Sequence, residues 1–350
     1  MRPFPLIGRR ALAGGSTLVA TPIKLNLFLE VVARRPDGYH DLETLFLALA
    51  TGDRLVVGRS ATGEDSLVVE GHPAPTDRSN LVLRALDRAR ASRPIPPLAI
   101  TLRKRIPAGT GLGAGSANAA GMLVHLHDHH PDPRGRDGVE EDAAALGSDL
   151  SFFLGDDVAA IGRGRGTERA SFPGRLFGGR VPAFILAIPA VHSSTPAAFA
   201  RMSFPLTDPS GPISVPTRTF EDSGEWQRGF FNRLEGCVIA ADPRLRRLAE
   251  HLRCTDAAGQ RDVGMRGVGM RDVGQGARAS AEPGASASES AWLMSGSGST
   301  FFRAVPDLRV AGAIVTSLRA PGGALARFTA ETGIPVTTRC ALPHALILPR

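Results

Sequence analysis

The stretch Ile106-Pro-Ala-Gly-Thr-Gly-Leu-Gly-Ala-Gly-Ser-Ala-Asn-Ala-Ala120 decides the fold, because it passes from a glycine-rich loop into an apolar helix. Glycine stands at alternate positions 109, 111, 113 and 115. Glycine adopts backbone conformations that other residues resist and lets N–H groups approach a ligand closely. The first N–H groups of a helix, together with its dipole, favour phosphate. We therefore predict a phosphate-binding loop, with Ser116 capping the helix or reaching a phosphate or a magnesium ion.

Two other phosphate-binding motifs are compared with this stretch, the Walker loop and the dinucleotide fingerprint. No Gly-Lys-Ser/Thr follows, so it is not a Walker loop. The spacing Gly109-x-Gly111-x-x-Ala114 is a weak match to the dinucleotide fingerprint. That fingerprint requires a parallel βαβ unit and an acidic residue on the next strand, and the sequence pattern indicates neither. The structural alternative is a flexible glycine turn.

Apolar alternation and turn residues predict the elements around the loop. Strands are expected at 16–32, 42–50, 54–57, 66–70 (continuing an antiparallel pattern), 98–103 and 181–188. Helices are expected at 80–91, 116–126 and 139–146, with 147–153 leading towards a strand. The pattern predicts an α+β protein of two domains, 1–176 and 177–350, joined near residues 170–180.

One segment is unlike the rest of the chain. Residues 261–275 are three copies of a five-residue unit of the type Arg-Asp-Val-Gly-Met, and small and polar residues continue to 291. Such a composition buries too little apolar surface to offset its ordering entropy. We predict a disordered insertion at 256–291 within the second domain, with a partner-binding role as the alternative.

Composition narrows the class of protein. The chain has 350 residues, 43% of them hydrophobic, which suits a globular protein. No run approaches the ~18–20 apolar residues of a membrane helix, and the N-terminus lacks the pattern of a secretory signal. The three cysteines are far apart and have no metal or disulfide spacing. We expect a cytoplasmic protein without a membrane partner, as a monomer or a homodimer.

The formal net charge is +7 and the sequence pI is about 10.4. The basic residues are spread along the chain without a long run, so we expect an anionic small substrate and not a nucleic acid. Lysine is rare, because Lys24 and Lys104 are the only two among 41 basic residues. Lysine and arginine differ in pKa tuning and geometry, so a retained lysine is a candidate for a specific role.

Several motifs together resemble a known family. Residues 107–120 resemble the phosphate loop of the galactokinase, homoserine kinase, mevalonate kinase and phosphomevalonate kinase superfamily. More narrowly, three segments are similar to the 4-diphosphocytidyl-2-C-methyl-D-erythritol kinase family of the non-mevalonate isoprenoid pathway. They are Thr21-Pro-Ile-Lys-Leu-Asn-Leu-Phe-Leu29, Arg35-Pro-Asp-Gly-Tyr-His-Asp-Leu-Glu-Thr-Leu-Phe46 and Leu146-Gly-Ser-Asp-Leu-Ser-Phe-Phe-Leu154. The match covers most of the chain apart from the first fifteen or so residues and 256–291.

The resemblance implies a two-domain α+β small-molecule kinase with its active site in the cleft between the domains. It implies ATP and Mg²⁺ as cofactors and phosphorylation of the 2-hydroxyl of a cytidyl diphosphate substrate. ATP would be bound by Pro107, Ala108, Gly109, Thr110, Gly111, Leu112, Gly113, Ala114, Gly115, Ser116 and Ala117. The enzymatic alternative is a homoserine or mevalonate type of kinase, and the non-enzymatic one is a weakened nucleotide-binding regulatory protein.

Two residues are assigned to catalysis. Asp149 matches the family's catalytic aspartate, and a carboxylate can accept the proton of an attacking hydroxyl. Lys24 lies in an apolar strand pattern with Asn26 two residues on, so both side chains share a face. A buried lysine needs a partner, which Asp149 could supply. By resemblance Lys24 acts in the active site and Asn26 contacts the substrate.

Aromatic residues are assigned to the base of the substrate. By resemblance Tyr39, the only tyrosine, stacks on cytosine, His40 binds its edge and Phe199 covers its other face. A core role for Phe199 is the alternative. Met294-Ser-Gly-Ser-Gly-Ser299 is similar to a later family motif, and it either supports the phosphate loop or forms a tight structural turn.

Three positions differ from the residues that the family usually has there. The family usually has glycine at Ala114, serine at Ala117 and aspartate at Arg233.

The histidines between His125 and His130 have spacing that zinc could use, but they lie at a helix end where they complement the dipole, and we predict no metal site there.

Overall fold

A computed structural model describes residues 4–202, 215–222, 226–262 and 292–343. The elements of its first half are β1 (Gly8–Ala11), β2 (Thr17–Ala20), β3 (Ile23–Arg34), β4 (His40–Leu49), β5 (Arg54–Arg59), β6 (Ser66–Gly71), α1 (Leu81–Arg90), β7 (Leu98–Lys104), α2 (Ala114–His129), α3 (Gly135–Leu146), α4 (Ser148–Phe153), β8 (Ala159–Gly164) and β9 (Glu168–Ser171). Those of its second half are β10 (Ala183–Pro189), α5 (Thr195–Ala200), α6 (Thr217–Glu221), β11 (Phe231–Asn232), α7 (Glu235–Ala241), α8 (Pro243–Asp262), β12 (Leu293–Met294), β13 (Phe301–Val305), α9 (Leu308–Arg319), α10 (Ala324–Thr332) and β14 (Val336–Ala341).

The first sheet has the strand order β1-β2-β5-β7-β6. Strand β6 pairs with β7 in parallel, so the predicted antiparallel pattern at 66–70 is wrong. The reason is that α1 connects the two strands, and a helical crossover returns the chain in its original direction. Helix α1 begins where the Asn80 side chain accepts a hydrogen bond from the N–H of Val82 at 3.0 Å.

Helix α2 follows the glycine-rich loop and is buried along most of its length. It begins at Ala114, two residues before the predicted start, and ends at His129. With α1, α3 and α4 it packs on the first sheet and forms one hydrophobic cluster, which includes Val57, Ile100 and Met122. This packing holds the loop that precedes α2 against the rest of the fold.

The segment 147–153 leads towards strand β8 as predicted, but residues 148–153 form helix α4, which was not predicted. Leu150, Phe152 and Phe153 are buried in the cluster around α2. A short apolar run has no periodicity that separates strand from helix, so packing decides. The helix places Asp149 in its first turn.

The second sheet has the order β11-β3-β4-β8-β9, and the third has the order β12-β13-β10-β14. Strand β11 comes from the second half of the chain but pairs in parallel with β3 of the first half. A hydrophobic cluster also crosses between the halves, with Leu25, Ile106, Phe184 and Phe302 among its members. The domain boundary near 170–180 stays a prediction.

The α+β fold class agrees with these sheets and helices. Helix α8 extends to Asp262, past the predicted start of the insertion at 256, and the remainder of that predicted insertion, 263–291, lies outside the described residues. Among the helices of the described ranges, none combines the length and the apolar character that a membrane crossing requires.

Candidate active site

A cavity of about 260 Å³ lies where strand β3, the glycine-rich loop and the start of α4 meet. Residues of both halves of the chain line it. Among the predicted site residues, those that line it are Lys24, Asn26, Pro107, Ala108, Gly109, Thr110, Gly111, Gly113, Ala114, Gly115, Ser116, Asp149 and Phe199. Leu112, Ala117, Tyr39 and His40 are not among the lining residues.

The glycine-rich loop needs its glycines for both conformation and space. Gly109 and Gly111 have φ of +68° and +74°, a region that side chains disfavour. A Cβ at Gly109 would lie 2.1 Å from the His192 ring, and one at Gly111 would lie 2.2 Å from the carbonyl oxygen of Ser295. The loop therefore touches two other segments so closely that only glycine fits.

The carbonyl groups of the loop point into the protein. The carbonyl of Gly109 accepts from the N–H of Ser193 at 2.9 Å, and that of Thr110 accepts from the N–H of Thr300 at 3.2 Å. The carbonyl of Gly111 accepts from the Ser295 hydroxyl at 3.4 Å, and that of Leu112 accepts from the N–H of Lys24 at 3.0 Å. Carbonyl oxygens repel phosphate, so using them within the protein favours anion binding by the N–H groups of this loop.

Gly113 is the N-cap of α2, with φ of +67° and no side-chain cap. The first helical hydrogen bond runs from the N–H of Ala117 to the carbonyl of Gly113 at 2.9 Å. The N–H groups of Ala114, Gly115 and Ser116 therefore have no acceptor within the helix. The predicted capping role of Ser116 is wrong, because Ser116 is the third helical residue, and its half-buried side chain lines the cavity.

Lys24 and Asn26 share a face of β3, as the alternation of the strand predicts. The Lys24 ammonium donates to Asn26 Oδ1 at 2.6 Å and lies 3.7 Å from Asp149 Oδ2. The Lys24 side chain is 5% exposed, whereas that of Asp149 is 36% exposed. The arrangement presents a carboxylate to the cavity and holds a buried cation behind it.

A chain of hydrogen bonds orients the Asn26 amide. Its Nδ2 donates to Thr44 Oγ1 at 2.8 Å, and the Thr44 hydroxyl donates to the carbonyl of Phe28 at 2.6 Å. Thr44 is fully buried on β4. These bonds direct Asn26 Oδ1 towards Lys24, so the neighbouring strand determines which way the amide faces.

The predicted base-binding residues lie at one side of the cavity. The rings of His40 and Phe199 stack directly, with centroids 4.9 Å apart and planes 17° apart. Burial and, secondarily, the charge of Arg34 lower the pKa of His40. Tyr39 is half exposed, and the guanidinium of Arg165 lies 3.6 Å from its ring centroid. His40 therefore covers one face of the Phe199 ring.

A second glycine loop, Ser295–Ser299, supports the first. Asn232 on β11 donates through Nδ2 to the carbonyls of Met294 and Gly296 at 2.7 and 2.8 Å. The carboxylate of Glu235 accepts from the N–H of Met294 at 2.9 Å. Burial raises the pKa of Glu235. The Ser295–Ser299 loop in turn contacts Gly111, in line with the supporting role suggested by sequence.

Asp53 is a residue that sequence reasoning missed. Its buried carboxylate accepts from the backbone N–H groups of Arg105 (2.7 Å) and Ile106 (3.0 Å), from Asn118 Nδ2 at 2.8 Å, and from the ammonium of Lys104. It therefore binds both the segment before the glycine-rich loop and the helix after it. The rarity of lysine in the chain, which singled out Lys104, was the only signal in the sequence that pointed to this buried pair.

The structure accounts for two of the three departures from the family pattern. Ala117 is fully buried in the core around α2, away from the cavity, so a hydroxyl there is not needed at the lining. Arg233 makes a bidentate pair with Glu30, both distances being 2.7 Å. Ala114 lines the cavity, and nothing in the structure explains its replacement of glycine.

The histidine run at the end of α2 packs internally. The rings of His125 and His129 lie 4.3 Å apart, and His129 Nδ1 contacts the carbonyl of His125 at 2.9 Å. Burial, followed by the charges of His129 and His130, lowers the pKa of His125 to about 3. In the part of the chain that the structure describes, no group of three or more His, Cys, Asp or Glu residues could hold a metal ion.

Residues 80–165 match the family described as GHMP kinases N terminal domain. The fold resembles a crystal structure of 4-(cytidine 5'-diphospho)-2C-methyl-D-erythritol kinase, with a TM-score of 0.61 and 27% identity over 93% of this chain and 98% of that one. Homoserine kinase from Cytophaga hutchinsonii shares the fold, with a TM-score of 0.60 and 15% identity over 95% and 96% of the two chains.

Two relatives share a name. The 4-diphosphocytidyl-2-C-methyl-D-erythritol kinases of Salinibacter ruber and Parabacteroides distasonis are both 34% identical to this chain. The matches cover 68% and 65% of this chain and 83% and 81% of the relatives. On this similarity, and with the fold to match, the chain belongs to the 4-diphosphocytidyl-2-C-methyl-D-erythritol kinase family.

Proposed function

We propose that this chain transfers the γ-phosphoryl group of ATP to the 2-hydroxyl of 4-diphosphocytidyl-2-C-methyl-D-erythritol, giving the 2-phosphate and ADP. The observation that carries the proposal is the Asp149 carboxylate, which faces the cavity beside the glycine-rich loop and 3.7 Å from the Lys24 ammonium. The family membership supports the substrate, since both relatives are named for it.

The glycine-rich loop is the proposed site for the phosphates of ATP. Its carbonyls are used within the protein, and the first N–H groups of α2 have no helical acceptor. Backbone donors held in place cost no reorganisation when charge develops on the transferred group. The loop would thus position the γ-phosphoryl group and stabilise its negative charge.

Asp149 is the proposed acceptor of the proton of the substrate hydroxyl. The oxygen–hydrogen bond breaks as the hydroxyl oxygen bonds to the γ-phosphorus, and ADP leaves with the electrons of the broken phosphorus–oxygen bond. The Lys24 ammonium, 3.7 Å from Asp149 Oδ2, would balance the negative charge of the carboxylate. The contact with Asn26 keeps the ammonium in position, so most of the acceleration would come from positioning and charge stabilisation.

Mg²⁺ is the proposed metal of the reaction. This ion usually keeps several waters and is bound by substrate phosphates together with a few protein oxygens. The donor set fits such a metal carried by the nucleotide, because the Ser116 hydroxyl and the Asp149 carboxylate both line the cavity. Bound there, Mg²⁺ would neutralise charge on the phosphate oxygens.

Tyr39, His40 and Phe199 are the proposed residues for the cytosine base. Stacking on an aromatic ring is worth about 1–3 kcal/mol per base. Because His40 covers one face of the Phe199 ring, a base that stacks on that face would displace the His40 ring. We also propose a cytoplasmic location, in keeping with three cysteines that form no disulfide, and a monomer or a homodimer.

The test is ADP release by the purified chain with magnesium ATP, with and without the cytidyl substrate. Asp149→Asn should lower kcat by about 10²- to 10⁴-fold, because it removes the proton acceptor. Asp156→Asn is the control, because that carboxylate is 56% exposed and pairs with Arg136.

Homoserine and mevalonate should not serve as phosphoryl acceptors, because neither has a nucleobase that Tyr39 and His40 could bind. Turnover with either of them, and not with the cytidyl substrate, would assign the chain to another reaction of the superfamily. ATP binding without any turnover would favour the regulatory alternative.

A further inference from the structure

Arg165 is a charged residue that lines the cavity but takes no part in the proposed phosphoryl transfer. The charged side chains among the lining residues are Lys24, Asp149 and Arg165. The charge of Lys24 is partnered by Asp149 and Asn26. The Nε of Arg165, by contrast, is buried and has no hydrogen-bond partner among the described residues.

The fold holds Arg165 in place at the turn between β8 and β9. Gly164 and Gly166 flank it with φ of +60° and +86°, and the N–H of Gly166 donates to the carbonyl of Arg163 at 2.9 Å. The guanidinium lies over the Tyr39 ring, 3.6 Å from its centroid. A guanidinium carries its N–H donors in a planar fork, the geometry that planar and tetrahedral anions accept.

A buried donor without a partner is unfavourable, and it often marks the place of a ligand atom. Arginine binds phosphate groups through two parallel hydrogen bonds. The position over Tyr39 puts Arg165 on the side of the cavity where the base and its diphosphate are expected, whereas the N–H groups for the ATP phosphates lie at the start of α2.

We propose that Arg165 binds the diphosphate of the cytidyl substrate and so selects a nucleoside diphosphate over an uncharged nucleoside. This proposal rests on the proposed function and adds a specificity-determining residue to it. Tyr39 would hold the guanidinium in position through cation–π contact before the substrate arrives.

The test measures binding by isothermal titration calorimetry, using CDP and cytidine as separate probes. The native chain should bind CDP more tightly than cytidine. Arg165→Met should weaken CDP binding by about 10- to 100-fold, the loss expected for charge-assisted hydrogen bonds, and change cytidine binding by less than about twofold. Arg165→Lys should recover part of the CDP affinity, since it keeps the charge but not the fork.

Arg163→Met is the matched control, because Arg163 lies on the same turn, is 53% exposed and pairs with Glu43. It should leave the ratio of CDP to cytidine affinity unchanged. If Arg165→Met also leaves that ratio unchanged, or weakens both probes equally, the proposal is wrong and Arg165 acts only through Tyr39. A native chain that binds neither probe would overturn the substrate assignment itself and this proposal with it.

Discussion

At the scale of single residues, Asp53 connects the two ends of the phosphate loop. Its carboxylate accepts hydrogen bonds from Arg105, Ile106, Asn118 and Lys104, and its side chain has no exposed area. The charge is balanced by Lys104, which is 3% exposed. We infer that this buried pair positions the loop for nucleotide, although it touches no reacting atom.

Replacing Asp53 should therefore affect both stability and nucleotide binding. Asp53→Asn leaves the Lys104 ammonium buried without a charge partner, which should cost about 3–5 kcal/mol of unfolding free energy. The KM for ATP should rise because the loop is no longer held at both ends. Urea denaturation and steady-state kinetics measure the two effects, with Asn118→Ala as a milder variant.

Asp132→Asn is the matched control for Asp53. Asp132 is equally buried and pairs with Arg93, which is 5% exposed, but neither residue lines the cavity. It should lower stability to a similar degree while leaving the KM for ATP unchanged. Equal changes in the KM for ATP in both variants would mean that Asp53 has only a general structural role.

At the scale of elements, Asp65 connects strands β6 and β7 of the first sheet with helix α1. It lies directly before β6, accepts from Arg90 Nη2 of α1 at 2.8 Å and accepts from the N–H of Leu98 on β7 at 2.9 Å. The hydrogen bond from Arg90, above all, lowers the pKa of Asp65 from 3.8 to about 2. This carboxylate thus holds together the crossover that makes β6 and β7 parallel.

The shift makes stability depend on pH. Because the pKa in the folded state is below its unfolded value, the stabilisation is complete above about pH 5 and is lost as the pH falls through about 2. The loss should be on the order of 2 kcal/mol. Urea denaturation from about pH 7 to about pH 2 should show a shallower decline for Asp65→Asn than for the native chain.

The control for Asp65 is Glu70→Gln, since Glu70 pairs with Arg103 and both side chains are about half exposed. Such a surface pair contributes little to stability. A decline in acid that is the same for Asp65→Asn and the native chain would contradict the role assigned to Asp65.

At the scale of the whole molecule, the two halves of the chain share structure. Strand β11 of the second half pairs with β3 of the first, and Leu25 and Phe184 belong to one buried cluster. Such a shared core couples the unfolding of the parts it joins. We therefore expect the predicted domains, 1–176 and 177–350, to unfold together.

Differential scanning calorimetry tests this cooperativity. The chain should unfold in one transition whose calorimetric and van't Hoff enthalpies agree. Non-hydrolysable ATP at a hundredfold excess over its Kd should stabilise that single transition by about 2.7 kcal/mol. Two separate transitions, of which ATP shifts only one, would mean that the halves are independent domains.

Local patterns predicted most elements but not their pairing. The strand at 66–70 was found in sequence, yet its direction depends on α1 crossing over the sheet, which alternation does not encode. Helix α4 was missed because its apolar run is too short for a helical period to appear. In both cases neighbouring elements, and not the residues themselves, determine the outcome.

By itself, the sequence determined that a glycine loop opens a helix, that Lys24 and Asn26 share one face of a strand, and that the chain resembles one kinase family. These properties depend on residues close together in the chain or on motifs in a fixed order. Only the tertiary structure decided that Asp53 binds both ends of the loop and that Arg165 lies over Tyr39. The physical reason is that burial and hydrogen bonding join residues that lie far apart in the chain, and only the packed fold brings these residues into contact.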